Sequence, residues 1–164
     1  MNSISKYVEN KLSESVYQKL SNLKKIKFRY GEVEFFSKES IGIKQEGYRY
    51  NPISKEINED WPDDNFVVIG IDNSVGDGGE PIIIKTDDDN LPIYHFENLD
   101  WNYPEKIADS LDDYIVINNE IARYSYDIEN NNLNETDFNN LIDTIKKINN
   151  SNYWDDFLTN AIIK

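Results

Sequence analysis

The six residues Phe66-Val67-Val68-Ile69-Gly70-Ile71 run together without a polar side chain. Successive side chains of a strand point to opposite faces of its sheet, so this run puts apolar groups on both faces at once. Such a strand belongs in the middle of a sheet with cover on both sides. Pro81 to Ile84 is similar, and Pro81, having no N–H to give a ladder, is expected at the strand's beginning. Asp87-Asp88-Asp89-Asn90 reads as a turn, and Leu91 to Phe96 as the returning arm. The segments 66–71, 81–86 and 91–96 are therefore expected to be neighbours in one antiparallel meander.

The flanking sequence changes period. Ile4, Val8, Leu12, Val16 and Leu20 recur every four residues and predict one helix over residues 4–23. Ile26, Phe28 and Tyr30 alternate with Lys25, Lys27 and Arg29, the pattern of a half-exposed strand; Gly31 marks a turn, and Val33 to Phe36 suit the second arm of a hairpin. Gly47 to Tyr50 reads as a short strand, and Ser54 to Asp64 as a polar, acidic loop. After Trp101 the signals are helical. Pro104 suits a first turn, with Ile107, Leu111, Tyr114, Ile115 and Asn118 on one face. Thr136 is the expected cap of a helix whose core face is Phe138, Leu141, Ile142, Ile145 and Ile148, and Ser151 that of a last helix carrying Trp154, Phe157, Leu158 and Ala161. Helix, then strands, then helices, with no repeat and no long linker, predicts one α+β domain over residues 1–164: a central, mainly antiparallel sheet with an N-terminal helix and C-terminal helices packed on it.

Charge narrows the function. The 164 residues carry 31 Asp and Glu against 17 Lys and Arg, a net of −14. The excess is local: between Glu56 and Asp113 there are 17 acids, with only Lys85 and Lys106 opposing them. Such a surface repels nucleic-acid phosphate and anionic lipid, which argues against a nucleic-acid or membrane partner, and it speeds encounter with a basic one. With no Cys, disulfides, Cys-based zinc sites and thiol chemistry are excluded. The N-terminal stretch lacks the apolar core of a secretory signal, so the expected compartment is the cytoplasm. The residues call for no cofactor and no metal, and they leave the oligomeric state open.

Motif by motif, the chain resembles the SUKH superfamily, which contains fungal cell-wall-assembly regulators and many bacterial toxin-immunity proteins. The resemblance is carried from Phe35 to Phe157, most densely over Phe66 to Ile117. Ile69-Gly70-Ile71-Asp72 ends the first apolar strand. Gly79-Glu80-Pro81-Ile82 follows, with Glu in place of the usual Asp. Leu91-Pro92-Ile93-Tyr94, His95, Trp101 and Ile107-Ala108-Asp109-Ser110 complete the series, and Tyr153 to Leu158 resembles the terminal helix of some members. The N-terminal Leu-Pro-x-x-Tyr and Asn-Gly-Gly signals of the family are missing, and His95-Phe96-Glu97-Asn98 replaces its His–Gly region. The resemblance implies a SUKH-like fold and a non-enzymatic immunity protein that neutralises a cognate, basic toxin, a cationic nuclease among the candidates. The alternative it allows is an intracellular regulatory scaffold.

Chemistry-bearing motifs are weak beside this. The loop from Asp72 to Glu80 fails both the calcium-loop and the phosphate-loop patterns. Ser110 is not in a nucleophile elbow and suits local hydrogen bonding. His95, the one His, suits a packed structural role. An acid-residue hydrolase ranks last, because with this many carboxylates some pair always exists. The partner-contact candidates are Glu59, Asp60, Trp61, Asp63, Asp64, Asp87, Asp88, Asp89, Glu97 and Asp100, with Trp61 as an aromatic anchor of the kind common at interface hot spots; Trp101 is expected in the core.

Overall fold

The computed structural model describes residues 3–74, 79–96, 100 and 102–160. Trp101, Glu97 and part of the Asp72–Glu80 loop lie outside them. Six strands form one sheet in sequence order: β1 (Ile26–Lys27), β2 (Glu32–Phe35), β3 (Phe66–Asp72), β4 (Glu80–Lys85), β5 (Ile93–His95) and β6 (Glu105–Ala108). Every neighbouring pair is antiparallel. The meander and the N-terminal hairpin thus join in a single α+β sheet. β3 and β4 are its middle strands, and Phe66 to Ile69 and Ile82 to Ile84 are each at most 5% exposed. Pro81 is the second residue of β4, opposite Ile71.

Helices α1 (Ser3–Lys11) and α2 (Glu14–Leu20) replace the single N-terminal helix. The apolar stripe continues across the break, with Val8, Leu12, Val16 and Leu20 all buried, but Ser13 adopts extended backbone and its Oγ accepts from Val16 N. A short polar side chain that caps one helix ends the other.

A second departure follows Pro104. Glu105 to Ala108 is a strand, paired with β5, and not a first helical turn. Ser110, in extended backbone, caps helix α3 (Leu111–Arg123) by accepting from Asp113 N at 3.0 Å. After α3 comes a short helix α4 (Ser125–Glu129), where the sequence pattern only breaks. Helix α5 (Glu135–Ile148) is capped by Asn134, not Thr136; Asn134 Oδ1 accepts from Asp137 N at 2.9 Å. Helix α6 (Tyr153–Leu158) has Asn152, not Ser151, at its cap position, without a side-chain cap bond; Ser151, one residue earlier, accepts from Tyr153 N through Oγ at 3.1 Å. α3 packs on β1 and β6, and α6 on β6 and α5. Trp154 seals that contact by donating Nε1–H to Ile107 O at 2.9 Å.

The segment between β2 and β3 is irregular but pinned. Gly47 to Tyr50 makes only isolated bridges, Glu46 with Tyr50 and Tyr50 with Ile57. A 3-10 turn at Ile43–Gln45 places Gln45 wholly inside. β2 ends at Phe35, so Val68 of β3 has no strand partner on that side. The Gln45 amide substitutes for one: Oε1 accepts from Val68 N at 3.1 Å, and Nε2 donates to Val68 O at 2.8 Å and Ile41 O at 2.9 Å. A primary amide carries the same donor and acceptor as a peptide group, so it extends the ladder by one rung. None of the helices among the described residues is long and apolar enough to cross a membrane.

Candidate functional site

Strand direction sorts the charged residues into two groups. One end of the sheet carries the start of β3, the end of β4 and the β4–β5 turn. The other carries the end of β3, the start of β4, the end of β5 and the start of β6.

The first end gathers seven of the ten contact candidates: Glu59, Asp60, Asp63 and Asp64 from the loop into β3, and Asp87, Asp88 and Asp89 from the turn after β4. All are exposed except Asp63, which is half-buried. Local bonds hold the two segments together. Thr86 N and Oγ1 both donate to Asn65 O at 2.9 Å, and Asn65 Nδ2 donates to Asp87 Oδ2 at 3.2 Å. Lys85 Nζ lies 3.8 Å from Asp63 Oδ2 and 3.7 Å from Asp87 Oδ1. Asp88 Oδ1 accepts from Asn90 N at 2.9 Å, an Asx turn of the kind short acidic side chains make. Against these seven carboxylates stand Lys85, Lys11, whose Nζ donates to Asn65 Oδ1 at 2.6 Å, and Arg49, paired with Asp64, so this end stays net negative, and its backbone is held on the two central strands.

Trp61 belongs to the same loop but points inward. It is 9% exposed, and its indole donates to Asp63 O at 2.8 Å. Its ring is one wall of an aromatic cage around Arg49, whose guanidinium carbon lies 4.1 Å from the Tyr7 ring centre, 5.4 Å from Tyr50 and 5.9 Å from Trp61. Arg49 Nη2 donates to Asp64 Oδ1 at 2.9 Å, while Nε and Nη1 find no hydrogen-bond acceptor among the described residues. The ring faces take that role, because a weakly hydrated planar cation is attracted to aromatic quadrupoles. Tyr7 adds one O–H donation shared between Asp64 O at 2.9 Å and Phe66 O at 3.0 Å, and burial pushes its phenol up to about 12. The cage fixes the acidic loop on α1, so Trp61 shapes the surface from beneath. Nothing in the sequence pattern announced Arg49.

Asp100 is exposed and lies in the β5–β6 connection, at the opposite end of the sheet. The structure therefore does not bring it to the other acids. Glu97 lies outside the described residues.

That opposite end holds a buried polar cluster which three of the sequence motifs supply. Asp72 closes β3, Glu80 opens β4 opposite it, and His95 ends β5. Asp72 and His95 are 7% and 3% exposed. His95 Nε2 sits 3.2 Å from Glu80 Oε2 and 3.9 Å from Asp72 Oδ2, without hydrogen-bond geometry to either. Asp72 Oδ1 accepts from Ser74 N at 2.8 Å, and Oδ2 from Tyr153 OH at 3.4 Å. Burial raises the Asp72 carboxyl above its ordinary range, the Ser74 bonds and His95 opposing. It also pushes the Tyr153 phenol well up, helped by the Asp72 charge. The Tyr153 and His95 rings are 4.9 Å apart. This cluster ties α6 to the sheet. The adjoining cavity, of about 10 Å³, has room for one water and not for a substrate. Ser110 is the α3 cap, a use the hydrogen-bonding reading covers. Among the described residues no three His, Asp or Glu side chains group to hold a metal ion.

A groove of about 440 Å³ lies elsewhere, between α2 and residues 35–39, and the Lys38–Glu14 ion pair forms part of its rim. It contains none of the candidate acids. Compared with known proteins, the chain matches no family model, no curated protein and no solved structure.

Proposed function

We propose that this chain is a SUKH-like, non-enzymatic immunity protein that binds a cognate bacterial toxin domain through the acidic end of its sheet. The observation that carries the reading is the convergence of Asp63, Asp64, Asp87, Asp88 and Asp89, with Glu59 and Asp60 beside them, on two segments bonded to each other. Preordered acids form a surface complementary to a basic one. Toxin nucleases must approach phosphate and carry basic surfaces for that purpose, so an acidic protein competes for the same patch. Charge of this kind acts mostly on encounter and orientation.

The test is association kinetics with the toxin domain encoded beside this gene, together with protection of cells that express it. Surface charges lose long-range influence once the Debye length shortens to about 8 Å near physiological salt. Association is expected to slow as salt rises, and the combined Asp87→Asn, Asp88→Asn and Asp89→Asn variant to slow it about tenfold at low salt with an unchanged melting temperature. Salt-independent association that the triple variant leaves alone removes this turn from the interface. Neither binding nor protection overturns the immunity reading.

A further inference from the structure

Beside the acids, the loop between the 3-10 turn and β3 projects a tip at residues 51–56, and every residue there is exposed. At its centre Ile53 is 91% exposed, and Ile57 on its descending arm is 48% exposed. Single apolar side chains on a surface are ordinary; the backbone under this one is not slack. Asn51 Oδ1 accepts from Ile53 N at 2.8 Å and Ser54 N at 3.1 Å. Lys55 N donates to Asn51 O, and Asn51 N to Glu56 O, both at 2.9 Å. Lys55 holds a positive φ of 62° to close the turn, and its ammonium pairs with Glu46 at 2.6 Å. Below the tip, Asn58 N donates to Arg49 O at 2.8 Å, and Asn58 Nδ2 to Tyr48 O. The Arg49 cage and Gln45 then fasten the loop to α1 and β3.

We propose that this tip is the apolar anchor of the acidic interface. Ile53, flanked by Ile57, enters an apolar cleft of a partner protein whose rim is basic. This rests on the immunity reading and names the contact that reading lacks, since Trp61 is turned inward. Two arguments carry it. A tip already ordered by its own hydrogen bonds loses little conformational freedom on docking, so more of the burial energy becomes affinity. The charges also choose the partner: residues 46–64 hold Glu46, Glu56, Glu59, Asp60, Asp63 and Asp64 against Arg49 and Lys55, and both bases are already paired within the segment. The isoleucines therefore belong to a segment of net negative charge, which disfavours an acidic or phosphate-bearing partner and fits a cationic one.

The experiment measures dissociation of the wild-type chain and four variants from the toxin domain encoded beside the gene. Ile53→Ala is expected to raise the off-rate about 10- to 30-fold. It should leave the on-rate, its salt dependence and the melting temperature unchanged, because a side chain this exposed adds nothing to the core. Asn51→Ala, which keeps Ile53 but removes the acceptor that orders the tip, should weaken binding severalfold and speed amide exchange at Ile53 and Ser54; Asn51→Asp, which keeps an acceptor oxygen, should restore both. Tyr126→Ala, also highly exposed but on α4 beside the edge strand β1, should change nothing. An Ile53→Ala off-rate within twofold of wild type, with the wild-type complex intact, overturns the anchor and leaves the acidic interface standing. No complex with the wild-type chain overturns both.

Discussion

Gln45 makes a quantitative test of how the irregular loop is held. Its side chain is fully buried and forms three hydrogen bonds, two to Val68 and one to Ile41 O. Gln45→Ala strips all three and leaves Val68 N, Val68 O and Ile41 O inside the protein without this partner. A buried hydrogen bond contributes about 1 kcal/mol net, and an orphaned buried group costs roughly 1–3 kcal/mol. Water entering the vacated space recovers part of that cost. The expected loss is therefore about 3–4 kcal/mol, near the upper end for a single substitution. For a domain of this length that is roughly 10 °C in melting temperature. Gln45→Leu, with similar volume but no polar atoms, should lose as much or more, because it also keeps water out. Urea unfolding of the wild type and both variants measures the difference, with an unchanged dependence on urea concentration confirming that the same surface unfolds. A loss below about 1 kcal/mol for Gln45→Ala would refute the idea that this amide serves as a missing strand.

Two further outcomes follow from the fold. Burial raises the Asp72 carboxyl, so the folded chain holds that proton more tightly than the unfolded one; its contribution is fully present below the unfolded value of about 4 and is lost as pH rises through the folded one. Asp72→Asn keeps an acceptor for Ser74 N and has no such loss, so its melting temperature should climb relative to wild type between about pH 3 and about pH 7; a difference that is flat or falls over that window contradicts the assignment. Gly70 sits where the β3–β4 register shifts, and a Cβ there would lie 2.6 Å from Glu34 O and 2.7 Å from Phe35 Cδ1; Gly70→Ala should cost about 2 kcal/mol or more in urea unfolding, and a neutral result means β2 yields easily.

The candidate site was legible in part. Asp63, Asp64 and Asp87 to Asp89 stood out by charge density, and the antiparallel return of β4 along β3 put them on one end. Asp100 has the same chemistry, but strand direction carries it to the other. Trp61 shows the limit of residue type: an indole beside acids suits an interface, yet Arg49 behind it offers a cation and its own N–H finds Asp63 O, so it packs inward. Ile53 gave no signal, because exposure at a tip depends on bonds among Asn51, Ser54, Lys55 and Glu56 that no periodicity records.

What the sequence determined by itself was wherever a local pattern permits one answer. A strand apolar on both sides has to be central, as Phe66 to Ile71 is, and a chain with helices gathered at its ends and strands between them makes an α+β domain. The tertiary structure decided the cases where two local answers cost nearly the same. Glu105 to Ala108 follows a proline that suits a helix start, but the free edge of β5 makes it a strand and moves the helix start to Ser110. The four-residue stripe through Leu12 suits one helix, but Ser13 caps a second. Asp72, Glu80 and His95 are 23 positions apart at most along the chain and meet only because β3, β4 and β5 pair in register. Propensity sets local preferences of a fraction of a kcal/mol, and the pairing and burial that settle them come from residues distant in sequence.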